Sequence, residues 1–365
     1  FSPDGGSIVF FSAPPDDHSA LRRIPFDGRA QGPVPRAETL RWVSGPSTSA
    51  FSPDGRALLF TAIGLHRNLY PFYDVYRLDL ATGEVRRVTR GARTSEIALS
   101  PDGQTLAYTQ TRRGTTHLGV AGADFQGARI VRASAPIEQA FTPRFSPDGR
   151  TIAYSAIRGG ARDVFLYDRQ SGAERAVTHD RAIDQNPVFS RDGRTLYFVS
   201  DRSGIANVYA FDLESAELAQ VTNVLGGAFQ PDVSPDGRWL VYVGYGARGF
   251  DLHLMPLDPA RFRADVGPSY ARPAVRAPRP TRISASVPYN PLRTLRPRSW
   301  LLGLSQGGLG SALTAATAGR DAVGQHAFDA IVGVNLPSGE IEYQLDYAFQ
   351  ALVPDLSLSQ GRRVS

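Results

Sequence analysis

Five consecutive residues of the chain carry the pattern of a nucleophilic serine. Gly303-Leu304-Ser305-Gln306-Gly307 matches G-x-S-x-G, in which the serine stands on a sharp strand-to-helix turn and attacks an acyl carbon. In that arrangement an acid and then a histidine follow the serine, with enough chain between them to build a sheet. His326 is the only histidine after Ser305, 21 residues on, and no strand-and-helix alternation surrounds the motif. We therefore predict that Ser305 is not a nucleophile.

Metal-binding and cofactor-binding patterns are absent from the sequence. The histidines show neither H-x-H nor H-x-x-x-H spacing, and there is no cysteine. Asp16-Asp17 lacks the spacing of a calcium loop, and no glycine-rich phosphate loop occurs. The sequence thus predicts no catalytic residue, no cofactor and no metal, and hence a protein that is not an enzyme. The six histidines are His18, His66, His117, His179, His253 and His326.

The charge distribution argues against nucleic acid as a partner. All 40 basic residues are arginine, and the net charge is +5. Residues 271–300 hold seven arginines and no acid, whereas a nucleic-acid-binding protein usually carries its basic stripe on a folded domain. With 42% hydrophobic and 21% charged residues, most of the chain should be globular. Phe1 is not a methionine and no signal-like segment precedes the first motif, so we expect a fragment cut at both ends.

A tight-turn motif recurs six times and organises the first 260 residues. Its sequence is Ser-Pro-Asp-Gly, with arginine in place of proline once, and successive copies begin 44–50 residues apart. Proline presets the first corner of the reversal, aspartate suits the second, and glycine accepts the left-handed conformation that closes it. The copies span residues 2–5, 52–55, 100–103, 146–149, 190–193 and 234–237.

Each turn is followed by the alternation of a buried strand. An aliphatic residue lies six positions after the serine and an aromatic residue eight positions after it, in all six copies. Four short antiparallel strands fit each period, which predicts an all-β fold, a β-propeller of about six four-stranded blades. The alternative, an open stack of hairpins, would leave a long row of unpaired edges. The two sets are Ile8, Leu58, Leu106, Ile152, Leu196 and Leu240, and Phe10, Phe60, Tyr108, Tyr154, Phe198 and Tyr242.

The repeat resembles that of TolB-type propellers over residues 1–258. The resemblance rests on Phe145-Ser-Pro-Asp-Gly-Arg-Thr-Ile-Ala-Tyr-Ser155, followed by Asp163-Val-Phe-Leu-Tyr-Asp168 and Glu174-Arg-Ala-Val-Thr178. The same repeat is also similar to that in the propellers of prolyl-oligopeptidase-like serine peptidases. Because TolB-type propellers lie in the periplasm and contact envelope lipoproteins, the resemblance implies a binding platform for envelope proteins or peptides. It leaves the partner open.

A Pro/Arg-rich linker is predicted over residues 259–298. Nine prolines between 256 and 297 favour an extended, semi-rigid polyproline conformation over a folded domain. The seven arginines of its residues 271–298 would suit an anionic membrane surface or an acidic partner, and a solvated spacer is equally compatible. The arginines are Arg272, Arg276, Arg279, Arg282, Arg293, Arg296 and Arg298.

Residues 299–365 show the strict alternation of antiparallel strands. Ile341, Tyr343, Leu345, Tyr347 and Phe349 form one face of a strand whose other face is polar. The period and length are typical of transmembrane barrel strands, and a soluble sandwich is the alternative. The segments 289–300 and 319–326 resemble the start of the outer-membrane barrel of bacterial surface-antigen-type proteins. We therefore expect the start of a barrel, present here as an open sheet with an exposed apolar face.

These patterns together predict a non-catalytic binding or scaffold protein of the cell envelope. A periplasmic propeller would present a platform for envelope proteins or peptides, and the C-terminal strands would tether it to the outer membrane of a Gram-negative bacterium. Two alternatives remain at this point: the propeller half of a prolyl-oligopeptidase-like serine peptidase, and a soluble TolB-like scaffold.

Overall fold

The chain consists of two compact β units, Phe1–Arg276 and Ala277–Ser365. The structure, a computed structural model, describes residues 1–15, 17–29, 35–67, 69–247, 249–264, 266, 288–307, 310–350 and 356–362. Two short 3₁₀ helices, Pro259–Arg261 and Pro291–Arg293, are the helices of this part of the chain. None of its helices is long and apolar enough to cross a membrane. Most of the predicted linker, with four of its nine arginines, lies outside the described residues.

The first unit is built from six consecutive antiparallel groups of strands, as predicted for propeller blades, and a parallel bridge between Thr116 and Gln139 joins the third and fourth groups into one eight-stranded sheet. Four of them contain four strands, and the first and last contain three among the described residues. Blade 1 has β1 (Ser7–Ser12), β2 (Ala20–Pro25) and β3 (Glu38–Trp42); blade 2 has β4 (Ser49–Phe51), β5 (Ala57–His66), β6 (Tyr70–Asp79) and β7 (Val85–Arg87); blade 3 has β8 (Thr94–Leu99), β9 (Thr105–Arg112), β10 (Thr115–Gly122) and β11 (Arg129–Arg132). Blade 4 has β12 (Gln139–Phe145), β13 (Thr151–Arg158), β14 (Ala161–Asp168) and β15 (Glu174–Ala176); blade 5 has β16 (Asp184–Phe189), β17 (Thr195–Ser200), β18 (Asn207–Asp212) and β19 (Leu218–Gln220); blade 6 has β20 (Ala228–Val233), β21 (Trp239–Gly246) and β22 (Gly249–Pro256).

The serine and aspartate of each repeated turn hold it closed by hydrogen bonds. In the second turn Ser52 Oγ donates to Asp54 Oδ1 at 2.6 Å, and the Ala57 amide donates to Ser52 Oγ at 2.9 Å. Asp54 Oδ1 also accepts from the Arg56 amide at 3.1 Å. The fifth copy, in which Arg191 replaces proline, keeps the Ser190–Asp192 bond at 2.6 Å. The serine, aspartate and glycine thus define the turn, and proline is dispensable for its hydrogen bonds.

The core lies between neighbouring blades. Tyr154 is fully buried in a cluster with residues of blades 3 and 4, and Phe198 in a cluster of blades 4 and 5. The predicted aliphatic and aromatic positions are buried in every blade, with one exception. Phe10 of blade 1 is half-buried, and β1 pairs only with β2 among the described strands. The predicted register of the repeat is therefore confirmed.

The second unit is a single five-stranded antiparallel sheet in sequential order. Its strands are β23 (Ser299–Gly307), β24 (Gly310–Arg320), β25 (His326–Asn335), β26 (Ile341–Phe349) and β27 (Leu356–Arg362). The register places large apolar side chains on one face, including Trp300, Leu302, Leu304, Leu313, Phe328, Val332, Val334, Ile341, Tyr343, Leu345, Tyr347, Phe349, Leu356 and Leu358. Tyr343 and Leu345 are 41% and 48% exposed, so they are not packed in a closed core.

Candidate protein-binding end of the propeller

The strand order gives the propeller two chemically different ends. In blades 2 to 6 the first strand runs into the serine turn, the second runs away from it, and the later strands repeat this reversal; in blade 1 the turn precedes β1, which runs away from it. All serine turns therefore lie at one end, which we call the turn end. The hairpins between second and third strands, and the connections between blades, lie at the other, which we call the hairpin end.

The large exposed apolar side chains of the propeller are concentrated at the hairpin end. Ile137 and Leu225, in two connections between blades, are 89% and 93% exposed. All ten such side chains among the described residues of this unit lie at or beside this end, and the turn end has none. They are Trp42, Leu65, Leu69, Tyr70, Ile137, Ile183, Ile205, Leu225, Tyr245 and Phe250. Apolar patches of this kind mark interaction sites on otherwise polar surfaces.

Aromatic rings form two groups on this end. In blade 6 the ring centres of Tyr245 and Phe250 are 4.9 Å apart, and Phe229 stands edge-on to Phe250 at 6.2 Å. In blade 2 the rings of Tyr70 and Phe72 are stacked at 6.1 Å, and the Arg93 guanidinium lies 4.2 Å from the centre of the Phe72 ring. Rigid rings beside a guanidinium are typical of protein-binding surfaces, since they offer large contact area at low entropic cost.

At the hairpin end several arginine side chains are exposed and form no ion pair, whereas acidic side chains such as Asp74 and Asp184 are held by hydrogen bonds and ion pairs. Arg202 pairs with Asp180 and the buried Asp184, and Asp74 accepts hydrogen bonds from Arg87, Thr89 and two loop amides. By contrast, five exposed arginines form no ion pair with any described residue. They are Arg67, Arg90, Arg112, Arg113 and Arg181. The hairpin end therefore combines apolar contact area with unpaired positive charge.

A half-buried charged cluster fixes blade 3 against blade 4. Glu174 accepts hydrogen bonds from Arg158 at 2.5 Å, from Arg132 at 2.8 Å and from the Tyr154 hydroxyl. Burial raises the pKa of Glu174, but these hydrogen bonds and the two guanidinium charges outweigh it, so the net shift of the pKa is downward. Burial, and then the hydrogen bond to Glu174 and its negative charge, raise the pKa of Tyr154 well above its ordinary value, although the two guanidinium charges act against this rise. The cluster is structural, because its hydrogen bonds join Arg132 of blade 3 to Glu174 of blade 4.

Ser305 and His326 are not brought together by the fold. Ser305 lies within β23 opposite Ala312, rather than on a strand-to-helix turn. His326 begins β25, where its Nδ1 lies 2.5 Å from the Tyr347 hydroxyl. The register separates the two residues by nine positions, about 30 Å, along the strands. The G-x-S-x-G match therefore has no histidine partner at His326.

The remaining histidines stand in separate environments. His18 packs edge-on to Trp42, His253 stacks on Tyr242 and His117 accepts a hydrogen bond from the Ser134 amide. Burial is the main cause that lowers the pKa of His117, and the positive charge of Arg112 lowers this pKa further. Among the described residues, no three His, Asp or Glu side chains form a group that could hold a metal ion. Asp16 lies outside the described residues.

Comparison with known proteins agrees with this architecture. Residues 126–264 match the family model described as the TolB beta propeller domain. The propeller unit is TolB-like. A structure of TolB from Agrobacterium tumefaciens is 26% identical, with a TM-score of 0.53 over 61% of this chain and 81% of that one. No curated protein sequence matches the chain.

Two more distant structures share the fold. TolB from Acinetobacter baumannii is 21% identical, with a TM-score of 0.59 over 70% of this chain and 62% of that one. A chain of a nidogen/laminin complex is 13% identical, with a TM-score of 0.54 over 73% of this chain and 94% of that one. At these identities the likeness concerns the fold alone, which is a propeller scaffold.

Proposed function

We propose that the protein is a non-catalytic scaffold of the cell envelope that binds a protein or peptide at the hairpin end of its propeller. The observation that carries this proposal is the confinement of exposed apolar side chains to one end of the propeller. Exposed arginines around them favour a partner that combines acidic and bulky apolar side chains. The likeness to TolB supports a periplasmic envelope protein or peptide as the partner.

A binding experiment with a defined probe tests the platform. A fluorescein-labelled peptide of alternating glutamate and leucine should bind the chain, and the lysine–leucine counterpart should bind at least tenfold more weakly. Ile137→Glu combined with Leu225→Glu should weaken binding about tenfold or more, because both residues are almost fully exposed apolar contacts. Asp124→Arg, on the turn end, is the control that should leave binding unchanged. Equal binding of both peptides, or loss of binding in the control alone, would contradict the proposal.

We further propose that the five-stranded sheet is the start of an outer-membrane β-barrel that tethers the propeller. Its continuous apolar face and its strands of 7–11 residues support this. Phe328, Tyr347 and Phe349 gather near one end of that face, as in the aromatic girdle at a membrane interface. The opposite face carries Asp329, Glu342, Gln344 and Asp346, which suits a wet lumen. The proposed location is thus the periplasm and outer membrane of a Gram-negative bacterium.

A further inference from the structure

Residues 289–298, which we call the strap, fold against one end of the five-stranded sheet. The Tyr289 hydroxyl donates to the Asp321 carboxylate at 2.7 Å, in the turn that follows β24. The Arg298 amide donates to the Ala318 carbonyl of β24 at 3.1 Å. The strap is thus fastened near both of its ends to β24 and its turn.

A glycine allows the strap to lie over the apolar face of the sheet. Gly319 pairs with Phe328, so a side chain at position 319 would point to that face. A Cβ on Gly319 would be 2.7 Å from the Arg296 carbonyl oxygen, and the Phe328 ring occupies the same space. The backbone of the strap therefore crosses the end of the apolar face beside Phe328.

The strap carries three exposed arginines, Arg293, Arg296 and Arg298. None of them forms an ion pair with a described residue. Continuing the alternation of β23 one step back from Trp300 places Arg298 on the side of the apolar face. This end of the apolar face is therefore bordered by positive charge.

The acidic residues nearby do not neutralise this charge. Asp321 is the only acidic residue between positions 266 and 328, and it is 4% exposed. Its carboxylate accepts hydrogen bonds from the Tyr289 hydroxyl and, at 2.8 Å, from the first backbone amide of β25. Asp329 and Asp346 lie on the opposite, polar face of the sheet. Among the described residues, the arginines of the strap thus have no exposed anion on their own side.

The side chains that follow Arg298 on this face change from aromatic to aliphatic along β23. Trp300, Leu302 and Leu304 are 69%, 75% and 69% exposed, and successive members of the row are about 7 Å apart. Charge, then an aromatic ring, then aliphatic side chains is the order of a membrane from its headgroups through the interface to the hydrocarbon. The strap therefore lies where the headgroups would be if the apolar face meets lipid.

We propose that the strap binds the phosphate groups of anionic phospholipids through Arg296 and Arg298. The inference rests on the proposed membrane tether, because the arginines reach the headgroups only if the apolar face meets lipid. Guanidinium groups bind phosphate oxygens with paired N–H donors. A phosphate carried by a lipid is favoured over a free phosphate ion, because Trp300 and Leu302 beside the arginines would contact its acyl chains.

Flotation of the 365-residue chain with lipid vesicles measures this preference. The chain should bind mixed vesicles of phosphatidylcholine and phosphatidylglycerol about tenfold or more tightly than vesicles of phosphatidylcholine alone. Arg298→Gln should weaken binding to the mixed vesicles about fivefold, and should leave binding to phosphatidylcholine unchanged. Arg320→Gln is the matched control, since Arg320 is exposed at the same end of the sheet but on the polar face. It should change binding to the mixed vesicles less than about twofold.

Tryptophan fluorescence locates the contact with lipid. In the Trp42→Phe variant Trp300 is the one tryptophan that remains exposed, and mixed vesicles with brominated acyl chains should quench its emission. Equal binding to both kinds of vesicle, equal effects of the two arginine substitutions, absence of quenching, or release of the chain by inorganic phosphate at constant ionic strength would each overturn the proposal. Leu345→Arg should weaken binding to both kinds of vesicle. If it changes neither, the membrane tether itself fails, so the two failures are distinguishable.

Discussion

Pro235, in the last repeated turn, lies against Gly5, in the first. A Cβ placed on Gly5 would be 3.7 Å from Pro235 Cδ, within van der Waals contact. The same relation links each turn to the next around the propeller, so the six turns form a closed ring. The other pairs are Pro3 with Gly55, Pro53 with Gly103, Pro101 with Gly149, Pro147 with Gly193, and Arg191 with Gly237. The turn motif thus joins blades as well as strands.

This ring predicts a difference between two glycine substitutions. Gly103 and Gly83 both have φ near +73°, at 72° and 74°, so alanine at either position is strained by ~1–2 kcal/mol. A Cβ on Gly103 would also lie 2.8 Å from Pro53 Cδ, whereas one on Gly83 would meet nothing within 4 Å. Gly103→Ala should therefore lower the free energy of unfolding by a further ~1–3 kcal/mol in urea titrations. Equal losses at the two sites would show that the turn contacts do not stabilise the ring.

The burial of the repeat's aromatic positions predicts a large loss of stability when Tyr154 or Phe198 is truncated. Both side chains are fully buried between blades, so Tyr154→Ala or Phe198→Ala should lower the free energy of unfolding by about 3–5 kcal/mol. Phe250, 67% exposed at the hairpin end, is the control, and Phe250→Ala should cost less than ~1 kcal/mol. Losses below ~1 kcal/mol at Tyr154 and Phe198 would contradict their role in the core.

The repeat allowed the blades to be predicted because its signals are local. The turn chemistry of Ser52, Asp54 and Gly55 and the alternation of Leu58 and Phe60 depend on neighbours within ten residues. The first strands were harder, because Thr142, Asn186 and Gln230 adopt positive φ next to a shift in register. Such a bulge breaks the period-two alternation on which strand prediction rests.

The hairpin end was not predictable, because exposure there depends on topology. In the sequence Ile137 and Leu225 are ordinary apolar residues, which are as compatible with a buried core position as with an exposed one. Their one local signal is their place in loops, Ile137 after Pro136 and Leu225 before Gly226-Gly227, where polar turn residues are usual. Only the alternation of strand directions in the blades places them with Tyr245 and Phe250 at one end.

Glu174 and Glu96 should have opposite effects on acid stability. The folded pKa of Glu174 is below its ordinary value of 4.5, so its contribution is present above pH 4.5 and is lost as the pH falls through the folded pKa. Burial raises the pKa of Glu96 above 4.5, although Thr142 donates to it at 2.7 Å, so its contribution is lost as the pH rises above 4.5.

Urea unfolding between pH 3 and 7 measures both effects. The stability advantage of the wild type over Glu174→Gln should shrink as the pH falls below about 4.5. The advantage over Glu96→Gln should shrink as the pH rises above about 4.5. Parallel profiles for the wild type and both variants would contradict the two shifts.

The position of Ser305 within a strand predicts no reaction with acylating or phosphonylating reagents. A fluorophosphonate probe should leave Ser305 unlabelled, since His326 lies nine positions, about 30 Å, away along the strands. Ser305→Ala should leave any activity of the intact protein unchanged. Covalent labelling at Ser305, detected by mass spectrometry, would contradict this prediction and would support the serine peptidase alternative.

The two faces of β26 predict how the sheet responds to charge in a membrane. Leu345 and Gln344 are neighbours that point to opposite faces, and Leu345 is 48% exposed on the apolar one. If that face meets lipid, Leu345→Arg in the intact protein should cost about 2–4 kcal/mol of folding free energy in phospholipid vesicles, because the guanidinium would lie near the hydrocarbon midplane. Gln344→Arg should cost much less, because a lumen-facing guanidinium stays hydrated. Because the two variants place the same side chain at adjacent positions, the effects of arginine's β-strand propensity and of the added net charge cancel when the two folding costs are compared. Equal costs at the two positions would show that the apolar face packs against protein rather than lipid.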